Sequence, residues 1–293
     1  MKIAVTSTGR TMDTQVDPRF GGGGVLCRCR YREYAIPGGR EQQRRCRRRE
    51  EVTVDVPHVD VAKCIGCGRC GQICQYSAIV CIGDQVLTFE QLYPSCGGCW
   101  LVCPADAIDF KDAINGQWFV SDTRFGPMVH ARLGAAEENS GKLVSLIRKQ
   151  TRRIADERGA RANDDSPLLV DGSPGIGCPV IASITGADLV LVVTEPTLSG
   201  RHDLDRVAQL TAHFGIPTAV CINKWDINPD VTEAIEADLR DKGLALAGKI
   251  DYDPAVTQAQ VAEETVIEYA QNGTARQIVS VWNTITESLR TTK

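Results

Sequence analysis

The sequence predicts an α/β protein with a mainly parallel sheet, helices on both of its faces, and a small α+β module inserted near its start. Two observations lead to this prediction. From residue 167 onward, short apolar strands alternate with amphipathic helices, which is typical of a parallel sheet buried on both faces. Between residues 58 and 110, closely spaced cysteines replace that alternation. The cysteine-rich block therefore interrupts an otherwise regular α/β chain.

The predicted elements follow the period of the apolar residues. Residues 2–6 form an opening strand, and residues 52–57 alternate like a strand that leads into the cysteine-rich block. Residues 140–158 form a helix, because their leucines and isoleucines fall on one helical face. The remaining strands are expected at 117–122, 167–172, 188–195, 217–223 and 244–248, and the remaining helices at 201–214, 229–242 and 272–290.

Residues 20–50 differ from the rest of the chain. Nine arginines fall between positions 28 and 49, with three cysteines and two glycine clusters, and no period of strand or helix emerges. We expect this run to lack regular structure. The chain thus divides into an atypical N-terminal segment with one strand, 1–50, a cysteine-rich domain, 51–111, and the remainder of the α/β domain, 112–293.

The composition limits the classes of function. An apolar fraction of 43% and a net charge of −4 provide enough material for a core, and this weak acidity argues against nucleic acid as the main partner. No run of about 18 apolar residues is present, so no membrane span is expected. The N-terminus lacks the apolar region of a secretory signal, which predicts a cytoplasmic protein.

Thirteen cysteines are many for a cytoplasmic chain, where structural disulfides are rare. Seven of them stand in two groups. Residues 64–74 read CIGCGRCGQIC, in the spacing C-x₂-C-x₂-C-x₃-C, and residues 93–103 repeat that spacing 29 positions later (93 − 64), with Tyr93 where the first cysteine would be. The second group ends in Cys103-Pro104. Duplicated groups of this kind are typical of ferredoxins that hold two iron–sulfur clusters.

In such a repeat, the fourth cysteine of each half reaches across to the cluster of the other half. This rule assigns four thiolates to cluster one: Cys64, Cys67, Cys70 and Cys103. It assigns three thiolates and a position without a cysteine to cluster two: Cys74, Cys96, Cys99 and Tyr93. We therefore expect one [4Fe–4S] cluster and, at the second site, either a [4Fe–4S] or a [3Fe–4S] cluster.

Several alternatives stay open for this block. At the second site, the phenolate of Tyr93 could ligate iron, the thiol of Cys81 could turn inward, or the site could hold no cluster. For the block as a whole, a zinc site is the alternative, since paired C-x₂-C units also build zinc ribbons. The duplicated triple spacing that ends in Cys-Pro favours iron–sulfur.

Besides the cysteine block, residues 51–290 contain the motifs GAAEENSGKLVSLIRK, LLVDGSPGIGCPV, VVTEPTLSGRHDL and CINKWD. With these motifs, about four-fifths of the chain resembles the MinD/ParA-type P-loop ATPases that carry an inserted two-cluster ferredoxin domain. This resemblance implies a MinD-like fold interrupted by a bacterial-type ferredoxin module. Residues 1–21 instead resemble the start of the dinitrogenase iron–molybdenum cofactor family, whose members bind iron–sulfur cofactor precursors.

The ATPase resemblance implies a nucleotide site at the carboxyl edge of the sheet, where ligands of such folds bind. Asp171 would take the Walker B or switch position near Mg²⁺ and the attacking water, and Gly175 would shape the switch loop. Asn223 would face the base, with Asp226 nearby. From the residues alone, Asp171 reads equally well as a turn-forming aspartate before a glycine.

One part of the ATPase pattern is missing. The first strand should lead into a glycine-rich loop that ends in Gly-Lys-Ser/Thr, whose amides and lysine hold the phosphates. Here STGRTMDTQVDPRFGGGG follows the strand, and the SGK at 140–142 comes after the inserted module without upstream glycines. We therefore expect no working ATPase, and ATP with Mg²⁺ is a doubtful ligand.

Together these observations predict an iron–sulfur protein that transfers electrons or handles clusters on a degenerate nucleotide-binding scaffold. Its expected partner is a redox protein or an iron–sulfur cofactor assembly protein, and the scaffold is compatible with a homodimer. Two alternatives remain. One is an ATPase that couples hydrolysis to electron or cluster transfer, and the other is an interaction scaffold whose clusters are structural.

Overall fold

The structure is a computed structural model that describes residues 2–7, 25–30, 45–83, 85–93, 95–123, 126–133, 141–157, 167–271 and 273–291. The strands in this part of the chain are β1 Lys2–Ser7, β2 Val25–Arg30, β3 Arg45–Val59, β4 Ile79–Ile82, β5 Gln85–Thr88, β6 Ile108–Thr123, β7 Gly126–Leu133, β8 Leu168–Asp171, β9 Leu189–Thr194, β10 Thr218–Asn223 and β11 Ala245–Ile250. The α-helices are α1 Arg69–Ile73, α2 Gly98–Leu101, α3 Gly141–Glu157, α4 Cys178–Ile184, α5 Leu198–His213, α6 Pro229–Asp241, α7 Pro254–Val261, α8 Val266–Tyr269 and α9 Thr274–Thr291.

Nine of these strands form one sheet in the order β11-β10-β9-β1-β8-β2-β7-β6-β3. Every neighbouring pair from β11 to β7 is parallel, whereas β7 with β6 and β6 with β3 are antiparallel. Parallel neighbours need a crossover connection, which is why helices alternate with strands along the sequence. The mainly parallel sheet that the sequence predicts is confirmed.

Alternate residues of β9 face two different cores, as the pleat of a strand requires. Val190 and Val192 belong to the larger core, which also contains buried residues of α3, α4, α5 and α6. Leu191 belongs to the second core, where it is joined by Val281 and Ile285 of α9. Helices therefore cover both faces of the sheet, as predicted.

Ile147 of α3 is fully buried in the larger core. We expect Ile147→Ala to lower the free energy of unfolding by about 2–5 kcal/mol, because the change removes buried methyl groups and leaves a cavity. Urea denaturation followed by circular dichroism measures this loss. Val261→Ala is the control, since Val261 is 82% exposed, and it should change the stability by less than about 0.5 kcal/mol. Equal losses in the two variants would contradict this packing.

The N-terminal segment contains more regular structure than its sequence predicts. Residues 25–30 are β2, which pairs with β8 and β7, and residues 45–50 open β3. The expectation of no regular structure is therefore wrong for these two stretches, because pairing in a sheet supplies partners for the backbone N–H and C=O groups and overrides a missing period. The rest of the basic run, residues 31–44, lies outside the described residues.

The predicted domain boundaries at 50/51 and 111/112 fall inside two continuous strands. β3 and β6 pair antiparallel along their length, from Arg45 opposite Asp122 to Val59 opposite Ile108. One ribbon thus belongs to the large sheet at one end and to the cysteine-rich module at the other. At Gly116, β6 approaches β7 so closely that a Cβ would lie 2.5 Å from the carbonyl oxygen of residue 132, so glycine alone fits there.

The cysteine-rich module repeats one backbone pattern 29 residues apart. α1 follows Gly68 and α2 follows Gly97, and both glycines are left-handed, with φ of 70° and 71°. Ser77 and Asp106, again 29 positions apart, share the same unusual region, with φ of 55° and 51°. The duplication that the cysteine spacing indicates is therefore present in the backbone as well.

The two halves of the module interlock crosswise. The N–H of Asp60, at the start of the first half, donates to the carbonyl of Ala107, at the end of the second half, over 2.8 Å. At the equivalent positions, the N–H of Phe89 donates to the carbonyl of Ala78, also over 2.8 Å. Each half therefore ends beside the start of the other.

Candidate metal centre

The first cysteine group lies on a loop and one short helix. Cys64 and Cys67 precede α1, and Cys70 is buried within it. The N–H of Cys64 donates to the carbonyl of Asp60 over 3.0 Å, which fixes the turn that begins the loop. At the other end of the loop, Gly68 takes a left-handed conformation that glycine adopts without strain. The backbone can therefore turn all three cysteines toward one place.

Four thiols from the two halves border one cavity. They are those of Cys64, Cys67, Cys70 and Cys103. The apolar part of the lining comes from Val59, Ile65, Val86, Ala105, Ala107 and Ile108. Cys103 reaches this place because the crosswise pairing carries the end of the second half beside the first loop. The structure thus brings together the set that the sequence assigns to cluster one.

The four cysteines line the same small cavity. In the part of the chain that the structure describes, no group of three or more His, Cys, Asp or Glu side chains converges closely enough to hold a single metal ion. A cubane cluster binds its thiolates at separate irons, so its ligands are spread around it. The arrangement of the four thiols fits a cluster of that kind.

Backbone amides face the sulfur atoms that end each half. The N–H of Ala107 donates to Sγ of Cys103 over 3.3 Å. At the equivalent position, burial opposes ionisation of Cys74, but the N–H groups of residues 76–79 outweigh it and lower the pKa of this thiol. Amide donors stabilise the thiolate, which is the form that binds iron.

Cys99, assigned to cluster two, lies where charges on the other two assigned thiols affect its ionisation. Burial raises the pKa of Cys99, and the negative charges of Cys96 and Cys74 raise it further. Cys74 comes from the first half of the module, and the other two come from the second half. Cys96 is exposed and Cys99 is buried, so this group extends from the surface to the small core of the module.

Tyr93 occupies the fourth position of this second group. Its hydroxyl accepts a hydrogen bond of 2.9 Å from the N–H of Gly97, and its ring stacks on Phe110 with the centroids 6.2 Å apart. Burial raises the pKa of the phenol, and the nearby Cys99 and Cys96 raise it further. The ring and the hydroxyl of Tyr93 are therefore held in a packed position beside Cys96 and Cys99.

Cys81 lies beside the first site rather than the second. Its Sγ is 3.7 Å from Sγ of Cys70, and it packs against the small core of the module that also contains Ile79. β4 places it there, because this strand runs alongside α1. The alternative in which Cys81 completes the second site therefore does not fit the structure.

The residues implied by the ATPase resemblance share one edge of the sheet but do not meet. Asp171 ends β8 and Asn223 ends β10, with β1 and β9 between them. The strand pairing puts Asp171 level with Ala219 of β10, four residues before Asn223, so the two residues are separated by more than three strand spacings of about 4.8 Å each. Gly175 is left-handed (φ 91°) in the turn after β8. Asp226 accepts the N–H of Tyr252 over 2.7 Å and thus helps to hold the chain after β11.

The sequence reasoning missed an ion pair at this edge. Nζ of Lys224 lies 2.8 Å from Oε1 of Glu195, and the pair joins the ends of β9 and β10. Next to it, the indole N–H of Trp225 donates to Asp251. The signal for the ion pair was available, because both charged residues directly follow apolar strands whose carboxyl ends are neighbours in a parallel sheet.

The fold and the site define an α/β protein with an inserted iron–sulfur module. The model of the family described as 4Fe-4S binding domain matches residues 57–80, which contain the first cysteine group. The first half of the module is therefore similar to domains that bind [4Fe–4S] clusters. No helix in the described ranges is both long and apolar enough to cross a membrane.

Two relatives come from Methanocaldococcus jannaschii. Uncharacterized protein MJ0579 is 23% identical over 219 residues, which are 75% of this chain and 71% of that protein. Uncharacterized protein MJ0578 is 32% identical over 167 residues, 56% of this chain and 55% of that protein. The chain thus spans about half the length of the second relative. Among solved structures, the septum site-determining protein MinD of Pyrococcus horikoshii, complexed with Mg-ADP, is similar at a TM-score of 0.46 and 10% identity, over 96% of this chain and 94% of that chain.

Proposed function

We propose that the protein transfers electrons or carries clusters through its iron–sulfur module. The observation that supports this most is the cavity bordered by the thiols of Cys64, Cys67, Cys70 and Cys103. Two separate segments of the chain contribute to it, and the crosswise pairing of the halves holds them in place. This geometry supports the four cysteines as a ligand set, and the matching family binds [4Fe–4S] clusters.

The residues of the module have two tasks in this function. A bound [4Fe–4S] cluster supplies one-electron redox chemistry. The thiolates would hold it, and backbone donors such as the N–H of Ala107 at Cys103 would withdraw charge from sulfur and so tune the reduction potential. The apolar side chains that line the cavity and the burial of Cys70 limit the access of water to part of this site.

A partner can approach this site closely. Cys67 is exposed, and three apolar side chains of the two cysteine loops stand in solvent, with Val61 84%, Ile65 68% and Leu101 73% exposed. Exposed apolar side chains next to the cysteines are what a docking partner would cover. We propose that a redox protein or an iron–sulfur cofactor assembly protein docks here, since electron or cluster transfer needs a short distance to the partner.

The geometry of the second site favours a three-iron cluster. Three thiols are grouped there, and the fourth position carries a hydroxyl that already accepts the N–H of Gly97. A [3Fe–4S] cluster beside a [4Fe–4S] cluster gives about seven irons per chain. An empty second site would give about four, and a completed one about eight.

Anaerobic reconstitution with iron and sulfide tests the proposed function. We expect a brown protein with about seven irons per chain, EPR signals from two clusters that a chemical reductant alters, and no thermal shift on adding ATP. A protein that takes up no iron would contradict the proposal. Clusters that cannot be reduced would favour a structural role, and ATP turnover that Asp171→Ala abolishes would favour an ATPase.

A further inference from the structure

Cys70 and Cys81 form a close pair of thiols, with their Sγ atoms 3.7 Å apart. A glycine makes this approach possible. A Cβ added at Gly71 would lie 3.0 Å from Sγ and 3.3 Å from the backbone nitrogen of Cys81. Any larger residue at position 71 would therefore push β4 and the Cys81 side chain away from α1. The pair depends on Gly71 as well as on the two cysteines.

The spacing of this pair matches two thiolates on one metal ion. A thiolate lies about 2.3 Å from a tetrahedral metal ion, and tetrahedral geometry then puts two such sulfurs about 3.8 Å apart. An iron held by Cys70 can therefore lie within reach of Cys81 without movement of the backbone. Among the described residues, no comparable sulfur contact occurs at Cys64, Cys67 or Cys103.

We propose that Cys81 is a substitute ligand of cluster one, able to bind the iron that Cys70 holds. In the exchange, the bond from iron to Sγ of Cys70 breaks and a bond from iron to Sγ of Cys81 forms. The Cys81 thiol gives up its proton and the released Cys70 thiolate takes one up. No electron is gained or lost, so the step needs no oxidant or reductant.

This inference rests on the proposed function, because it requires cluster one. It assigns a role to the thiol of Cys81, which lies outside the two spaced cysteine groups. In a protein that carries clusters, one corner of the cluster could change its ligand while the iron stays bound. In the described part of the chain, Cys64, Cys67 and Cys103 have no second thiol beside them.

Iron content and EPR of reconstituted full-length variants test the proposal. Cys67→Ala, whose position has no second thiol, should lose the signal of cluster one and about four irons per chain. Cys70→Ala should keep at least half of that iron and a shifted cluster-one signal, because Cys81 replaces the ligand. Cys81→Ala should keep all of the cluster-one iron. In the double variant Cys70→Ala/Cys81→Ala, the iron content should fall to that of Cys67→Ala. Iron in Cys70→Ala as low as in Cys67→Ala would overturn the proposal.

A second measurement covers the case in which Cys70→Ala does not fold. The rate at which an iron chelator strips cluster one should be at least threefold higher in Cys81→Ala than in the unaltered protein, since an iron released by Cys70 then has no second thiol to rebind it. Ile79→Val is the matched control, because it trims the same strand and the same small core without touching a thiol. Equal rates in the unaltered protein and Cys81→Ala would refute the substitute ligand.

The two proposals fail in different ways. If the unaltered protein binds no iron, the proposed function and this inference both fall. If the unaltered protein binds iron and Cys67→Ala loses it, the proposed function stands, and the comparison of Cys70→Ala with the double variant decides the inference alone.

Discussion

Cys103→Ala is expected to remove the cluster bound by the first cysteine group, although 33 positions (103 − 70) separate it from Cys70. The iron content should fall by about four per chain. The reason is geometric, because Cys103 borders the same cavity as Cys64 and Cys67 and is carried there by the crosswise pairing of the halves. Its sulfur also accepts the N–H of Ala107, so the variant loses a positioned ligand. Iron analysis and EPR after reconstitution measure the effect.

The matched control is Cys74→Ala, which changes the equivalent cysteine of the first half. It should leave the signal of cluster one in place and reduce the signal of the second cluster. Cys103→Ala and Cys67→Ala should therefore lose the same EPR signal. If Cys103→Ala instead loses the signal that Cys96→Ala loses, each half binds its own cluster and the crosswise assignment is wrong.

The α/β part of the fold could be predicted because its central strands are buried on both faces. All six residues of β9 are buried, and such a continuous apolar run stands out in a sequence. β2 and β7 could not be found in this way. His130 and Arg132 interrupt β7, and β2 contains two arginines, so their strand character comes from pairing with partners far along the chain. Local propensity does not contain that information.

The candidate site likewise has one part that the sequence predicts and another that it does not. Its thiol groups could be predicted, since iron–sulfur ligands recur at short, fixed spacings and the duplication fixes the crosswise rule. The contacts that Cys81 and Tyr93 make in the module could not be predicted. Cys81 meets Cys70 only because β4 packs on α1 at Gly71, and the Tyr93 hydroxyl meets the Gly97 amide only in the folded loop. Both contacts depend on packing within the module, which the spacing of cysteines does not encode.

Tyr93→Cys is expected to convert the second site from three irons to four. It restores the cysteine that the spacing requires, at a position whose neighbours Cys96 and Cys99 already interact with the residue there. The total should rise from about seven to about eight irons per chain, and the EPR signal of the three-iron cluster should disappear. A cysteine sulfur lies much closer to Cβ than the tyrosine hydroxyl does, so the variant loses both the hydrogen bond from the N–H of Gly97 and the stacking on Phe110.

Tyr93→Phe separates the effect of a new ligand from the effect of losing the hydroxyl. It keeps the ring on Phe110 and leaves the N–H of Gly97 without its acceptor, so the loop should be less stable while the iron count stays at about seven. A gain of iron in Tyr93→Phe would mean that the hydroxyl blocks the site rather than merely failing to complete it. If Tyr93→Cys changes neither the iron content nor the spectrum, position 93 does not face the second cluster, and the assignment of Cys74, Cys96 and Cys99 to that cluster loses its basis.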